Sequence, residues 1–208
     1  FAEAYNNLGN TYNDSEKYDE AICNYNKTIE LKPDHVEVYN NLGVAYKRLG
    51  HYLSAVRCYK KEIVLRPGYA EAYNNLGNSI FGLGIHNEAI SNYNKAINLK
   101  PDFSEAYTSL GNTLKELGRY VEAIPNYNKA INLKPDFSEA HSNLGQILLA
   151  QHSFPDAAYH LGQCKTDKSQ SYLLRCLYRQ GNQERFYKQL DYLLDRGVCN
   201  AIVGSLVS

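Results

Sequence analysis

Apolar and small residues return along this chain in two interleaved helical registers. Tyr5, Leu8, Gly9 and Tyr12 stand three or four apart and so share one face of a helix, and the set recurs as Tyr39, Leu42, Gly43 and Tyr46. Tyr73, Leu76 and Gly77 repeat it, as do Tyr107, Leu110 and Gly111. A second register follows each first one: Ala21, Tyr25 and Ile29 lie four apart, and Ala55, Ala89 and Ala123 open the same run. Pro33, Pro67, Pro101 and Pro135 close it, because proline cannot continue a helical hydrogen-bond ladder. Equivalent positions are 34 residues apart, which predicts helix, turn, helix, turn in units 2–35, 36–69, 70–103, 104–137 and 138–171.

The unit is too small to fold by itself. Ordering a residue's backbone costs about 1–2 kcal/mol, whereas each of a unit's few core side chains returns only about 1.5–3 kcal/mol. Stability must therefore come from surface buried between successive units. Glycine inside a helix is unfavourable, so its return at Gly9, Gly43, Gly77, Gly111 and Gly145 predicts a second backbone passing close by. Asp34, Asp102 and Asp136 each precede a glutamate by three residues (Glu37, Glu105, Glu139), which predicts that these aspartates cap the following helices. Pro125 falls inside a second helix and predicts a lost backbone bond and a mild bend. The fifth unit departs, with His141 and Leu161 where tyrosine stands elsewhere. Beyond Asp167 the period fades, but 171–180 and 183–195 still read as helices around Gly181 and Asn182, so 172–208 is expected to form a divergent capping hairpin and an apolar tail, Val198 to Val207.

The order aromatic, Leu-Gly, Ala, Tyr, Pro at this period resembles the tetratricopeptide repeat over most of the chain. The resemblance implies an all-α fold: a right-handed superhelical solenoid of stacked antiparallel helix hairpins, whose first helices line a concave groove. The positions implied to face a ligand are rich in amides. One row is Asn7, Asn41, Asn75, Ser109 and Asn143; beside it run Asn6, Asn40, Asn74, Thr108 and Ser142; a third is Asn10, Val44, Asn78, Asn112 and Gln146. An amide offers a donor and an acceptor, so one per repeat suits the backbone of an extended peptide. The first row is similar to the asparagine ladder of the repeat arms of O-linked N-acetylglucosamine transferases. The other reading is that asparagine is merely a solvated residue there, although its poor helix propensity argues against accumulating it. No lysine or arginine occupies the positions with which some tetratricopeptide arrays grip a carboxyl terminus. The row Glu3, Glu37, Glu71, Glu105 and Glu139 could select basic peptides, and helix-start electrostatics explains it as well.

Composition narrows the partners. Lysine plus arginine and aspartate plus glutamate number 22 each, so no long-range field favours nucleic acid or anionic lipid. A pentatricopeptide-like RNA reader fits neither this charge nor the Tyr, Leu-Gly, Ala, Pro signature. Cys23, Cys58, Cys164, Cys176 and Cys199 show no metal or disulfide spacing and read as reduced thiols of a cytoplasmic protein. His160 and Cys164 are four apart, as a metal pair would be, but no third ligand is near in sequence; neither metal nor cofactor is expected. The histidines are scattered and assemble no catalytic set. Most of the 19 tyrosines fall at core positions.

The expected function is a non-catalytic scaffold binding an extended protein segment along the amide-lined groove. An alternative is the substrate-presenting arm of a larger enzyme, a glycosyltransferase or an oxygenase. The stretch SQSYLLRCLYRQGN (169–182) resembles the segment after repeat arrays in marine cyanobacterial proteins that end in a 2-oxoglutarate and iron dependent oxygenase. Chemistry of that kind would lie beyond Ser208, since no iron ligand triad can be placed here. The start at Phe1, without methionine, suggests a segment of a longer array, and Tyr5, Leu8 and Tyr12 on the first helix suggest self-association.

Overall fold

The computed structural model describes residues 1–198. It forms two compact units, Phe1–Thr113 and one that begins at Leu114. Among the described residues all regular structure is helical.

The first unit holds α1 (Ala2–Asp14), α2 (Tyr18–Leu31), α3 (Val36–Arg48), α4 (Tyr52–Leu65), α5 (Ala70–Gly82), α6 (His86–Leu99) and most of α7 (Ser104–Glu116). α1 packs on α2, α3 on α4 and α5 on α6; α2 also packs on α3 and α4 on α5, so each hairpin leans on the next. Ala21, Ala55 and Ala89 are fully buried, and the neighbouring Tyr25, Tyr59 and Tyr93 almost so. The repeated glycines face these rings. A Cβ on Gly9, Gly43 or Gly77 would lie 2.6, 2.7 and 2.6 Å from Tyr25, Tyr59 and Tyr93 respectively, so the glycine makes room for an aromatic side chain rather than for a second backbone.

Each second helix stops two residues before its proline. Lys32, Arg66 and Lys100, immediately before Pro33, Pro67 and Pro101, leave the helical region with φ of −146°, −139° and −139°, because the proline ring disfavours α geometry in its predecessor. The expected aspartate caps are absent. α3 starts at Val36, which makes His35 the capping residue, and neither His35 nor the equivalent Tyr69 makes a side-chain capping bond. Asp34 lies one residue too early. The connection is held otherwise: Tyr39 donates its hydroxyl proton to the Pro33 carbonyl at 2.7 Å, and Arg66 and Lys100 sit over the rings of Tyr69 and Phe103.

The second unit contains α8 (Tyr120–Leu133), α9 (Ser138–Ala150), α10 (Phe154–Gly162), α11 (Asp167–Arg179) and α12 (Gln183–Asp195). α8 packs on α9, α9 on α10, α10 on α11 and α11 on α12. α8 runs unbroken across Pro125. α9 is likewise preceded by Phe137, not Asp136, as its uncapped first neighbour. α10 is only nine residues long, and α11 begins four residues before the predicted 171 because Thr166 caps it, accepting from the Ser169 backbone amide. His141 replaces tyrosine conservatively: its Nε2 lies 3.0 Å from the Pro135 carbonyl, the contact Tyr39 makes to Pro33, and its Nδ1 meets His160 Nδ1 at 2.9 Å. The tail from 199 on, and Cys199 with it, lies outside the described residues.

In the turn between the two helices of a repeat, Gly50, Gly84 and Gly118 take φ of +74°, +77° and +71°. Glu16 and His152 occupy the same left-handed position at +58° and +62°, where a side chain is strained.

Candidate functional site: the amide rows of the first helices

The amides of the first unit bond to one another from repeat to repeat. Asn41 donates from Nδ2 to Asn10 Oδ1 at 3.0 Å, and Asn75 donates from Nδ2 to Asn40 Oδ1 at 3.2 Å. Asn40 in turn donates to Asn41 Oδ1 at 3.4 Å. α1, α3 and α5 are thereby laced along one face. Asn75 Oδ1 takes no hydrogen bond from the chain and is not sealed from water, whereas Asn7, on α1, is exposed.

The flanking rows are more deeply committed. Asn10 also accepts the Tyr25 hydroxyl at 2.9 Å, and Asn78 accepts that of Tyr93 at 3.0 Å, so these two amides satisfy core tyrosines. Asn74 is only 7% exposed and its Oδ1 has no partner; Asn6 Oδ1 is buried without one as well. Asn40 receives its bond from Asn75, whereas the residue equivalent to Asn75 in the repeat after Asn74 is Ser109, whose side chain ends one atom earlier. Asn6 goes unserved because Asn41, in the equivalent place, turns to Asn10.

In the second unit the row changes character. Lys115 Nζ donates to Asn143 Oδ1 at 2.8 Å and Gln146 Oε1 at 3.1 Å, and Gln146 Nε2 donates to Ser142 Oγ at 3.2 Å. Asn112 is half-buried on α7. The sequence drew attention to the amides and passed over Lys115, which carries the only formal charge in this network.

The glutamate row does not present a uniform acidic face. Glu71 is engaged by Lys100 at 2.7 Å, and although burial pushes its carboxyl up, that hydrogen bond and charge outweigh it and hold it below the usual range. Glu105 accepts from the Ser104 hydroxyl. The His160 and Cys164 pair is accounted for by packing: Cys164 donates its thiol proton to the Ser138 carbonyl at 3.3 Å, burial pushes that thiol up, and among the described residues no three His, Cys, Asp or Glu side chains converge as a metal site.

A family model for the TPR repeat matches residues 9–50, 81–118 and 111–152, and one for the tetratricopeptide repeat matches 36–69. The chain belongs to the tetratricopeptide repeat family. Its fold is that family's solenoid of helix hairpins. No curated protein matches it. Among solved structures this tetratricopeptide chain is similar to MamA, at 27% identity over 86% of this chain and 97% of that one, with a TM-score of 0.66. It is also similar to PilF of Pseudomonas aeruginosa (16% identity, 98% and 95% covered, TM-score 0.83) and to PilW, described as a widely conserved type IV pilus biogenesis factor (16%, 100% and 98%, 0.82). The last two likenesses speak to the fold alone. Tetratricopeptide scaffolds of this kind serve protein–protein interaction, and among the described residues no helix is long and apolar enough to cross a membrane.

Proposed function

We propose that the chain is a non-catalytic interaction module that holds an extended protein segment against the amide rows of its first helices. The observation carrying this reading is the lacing of Asn10, Asn40, Asn41 and Asn75, which fixes the amide planes before any ligand arrives and leaves Asn75 Oδ1 to accept a peptide N–H. Fixing these groups in advance lowers the entropy lost on binding. In the same reading Asn7 and Asn112 extend this surface within the first unit and Asn143 stands in the corresponding row of the second, whereas the buried oxygens of Asn6 and Asn74 take no part. Peptides selected from a displayed random library on the whole chain would be measured by fluorescence polarisation against Asn41→Ala and Asn75→Ala. The expected result is a loss of about tenfold for each variant, one charge-free hydrogen bond's worth, with helical circular dichroism retained. Unchanged affinity in both variants retires the reading.

A second surface favours self-association. Tyr5 and Leu8 on α1 are 37% and 43% exposed, against 8% and 4% for Tyr39 and Leu42 on α3. Light scattering across a concentration series tests it, and a constant monomer mass removes it.

A further inference from the structure

The second unit contains a concavity built from residues other than the asparagine lacing of the first. It is a cavity of about 510 Å³, within the ordinary range for a ligand site. Its walls are apolar and aromatic: Tyr120 opens α8, Ile147 and Leu149 come from the last turns of α9, Phe154 opens α10 and Tyr172 stands on α11. Its polar groups are cationic. Lys115 at the end of α7 and Arg175 and Arg179 on α11 line it together with His152 and Gln146, and no carboxylate does.

That imbalance is local. The chain as a whole is neutral, and four cations outside the cavity form ion pairs, Lys27 with Glu30, Lys100 with Glu71, Arg119 with Glu122 and Arg196 with Asp167, while others among the described residues, Lys47 included, have none. What sets the cavity apart is that three cationic side chains line one concavity with no acid on its wall. Among the described residues no ion pair engages Lys115, Arg175 or Arg179. Lys115 is half-buried and is positioned by two neutral oxygens, Asn143 Oδ1 and Gln146 Oε1, which orient the ammonium without cancelling its charge. Burial, and then repulsion from Lys168, push its pKa down, only partly offset by the exposed Glu116. A desolvated cation held in place without a counter-ion is a site awaiting one. Tyr172, Arg175 and Arg179, three and four apart on α11, carry the ring and both guanidinium groups to one face.

We propose that this cavity is a separate binding site for a short acidic segment of a partner protein, in which an aromatic or aliphatic side chain enters against Tyr120, Phe154 and Tyr172 while flanking carboxylates meet Lys115, Arg175 and Arg179. The apolar wall argues against a bare inorganic anion, which would leave it uncovered. The apolar wall and the neutral remainder of the chain argue against a nucleic acid backbone or a lipid surface. The proposal does not depend on the lacing of Asn10, Asn40, Asn41 and Asn75, although Gln146 on its wall and the Asn143 that positions Lys115 belong to the same rows.

The test uses the whole chain and a fluorescein-labelled peptide, Gly-Ser-Glu-Phe-Asp-Leu-Glu-Ser-Gly, measured by polarisation at two salt concentrations. Three controls accompany it: the same peptide with Gln and Asn for its acids, one with Ser for Phe and Leu, and inorganic phosphate as competitor at matched ionic strength. The acidic apolar peptide is expected to bind at least about tenfold more tightly than either altered peptide, with affinity falling as salt rises. Arg175→Glu with Arg179→Glu, both exposed positions, is expected to abolish binding while preserving helicity; Asn41→Ala is expected to leave it unchanged. Equal binding of the neutral peptide, equal binding of the Ser-substituted peptide, displacement by phosphate, or indifference to the double charge reversal each overturns the proposal. So does a failure of the acidic peptide to bind at all, and none of these results bears on the amide-row reading.

Discussion

Tyr25 donates its buried hydroxyl proton to Asn10 Oδ1 at 2.9 Å across the first hairpin, and burial pushes its phenol up to about 12. Tyr93 and Asn78 repeat the relationship at 3.0 Å. The second repeat breaks it. Val44 stands where asparagine would, and Tyr59, fully buried, is left with an unpartnered hydroxyl.

Val44→Asn is accordingly expected to stabilise the chain by about 1 kcal/mol, the net worth of one buried hydrogen bond plus relief of an orphaned donor. Asn78→Val makes the opposite change and is expected to cost about 1–3 kcal/mol. Urea midpoints of the two variants check both signs, and an unmoved midpoint for Val44→Asn would show that water already serves Tyr59.

Gly77 is a harder constraint than its weak helix propensity suggests. Alanine would gain roughly 1 kcal/mol of propensity, but its Cβ would stand 2.6 Å from the Tyr93 ring, which is buried and tethered to Asn78. The expected net result is a loss on the order of 1–3 kcal/mol, read as a lower urea midpoint. A gain in stability would mean that the ring moves freely.

Glu62 sits where the other repeats place Thr28, Ala96, Ala130 and Cys164. It is 1% exposed, Oε2 has no partner, and burial raises its carboxyl from the model-compound value of 4.5 to about 7, with Arg66 opposing and Glu71 adding to the rise. The folded chain therefore holds this proton more tightly than the unfolded one. Stability should be full below about pH 4.5 and fall as pH rises toward 7, by on the order of 3 kcal/mol from this group at about 1.4 kcal/mol per pKa unit. Glu62→Gln should remove that slope and be the more stable protein above pH 7. Parallel pH slopes for both proteins in chemical denaturation would refute it.

His160 in the second unit should respond with the opposite sign. Burial, then the neighbouring His141, lower its pKa against a weaker pull from Asp156. The folded state then binds this proton less readily than the unfolded state, so stability is present above the ordinary imidazole value of about 6.5 and is lost as pH falls through it. Amide protection factors, which remove the intrinsic slowing of exchange with falling pH, should drop in α9 and α10 on acidification and rise in the acid-stabilised α4. A drop in both would point to a general acid effect.

The period made the helices legible because each repeat restates the same faces, and α12 begins and ends where its residues suggest. Three things escaped. Asp34 has capping chemistry, but the pre-proline Lys32 sets where the chain leaves α2, and one further residue intervenes before α3. The start of α11 depended on Thr166 and Ser169, a short local bond hidden by the end of the repeat pattern. The cationic cavity draws Tyr172, Arg175 and Arg179 from the divergent region, where no row could be read down the repeats. A signal was present even so: neither Arg175 nor Arg179 has an acidic residue three or four places away on its helix.

The valine at position 44 bears on how such a chain lengthens. Asn41 turns to Asn10 and leaves Asn6 unserved, whereas Asn75, facing a repeat with Val44 at that place, turns to Asn40. A tandem copy of residues 70–103, spliced in directly behind the original, would present a second Asn75 to a repeat that carries Asn78, and it would be drawn there as Asn41 is to Asn10. Duplication at that junction would thus add one unmet amide per copy, a polar toll that mounts as the array grows.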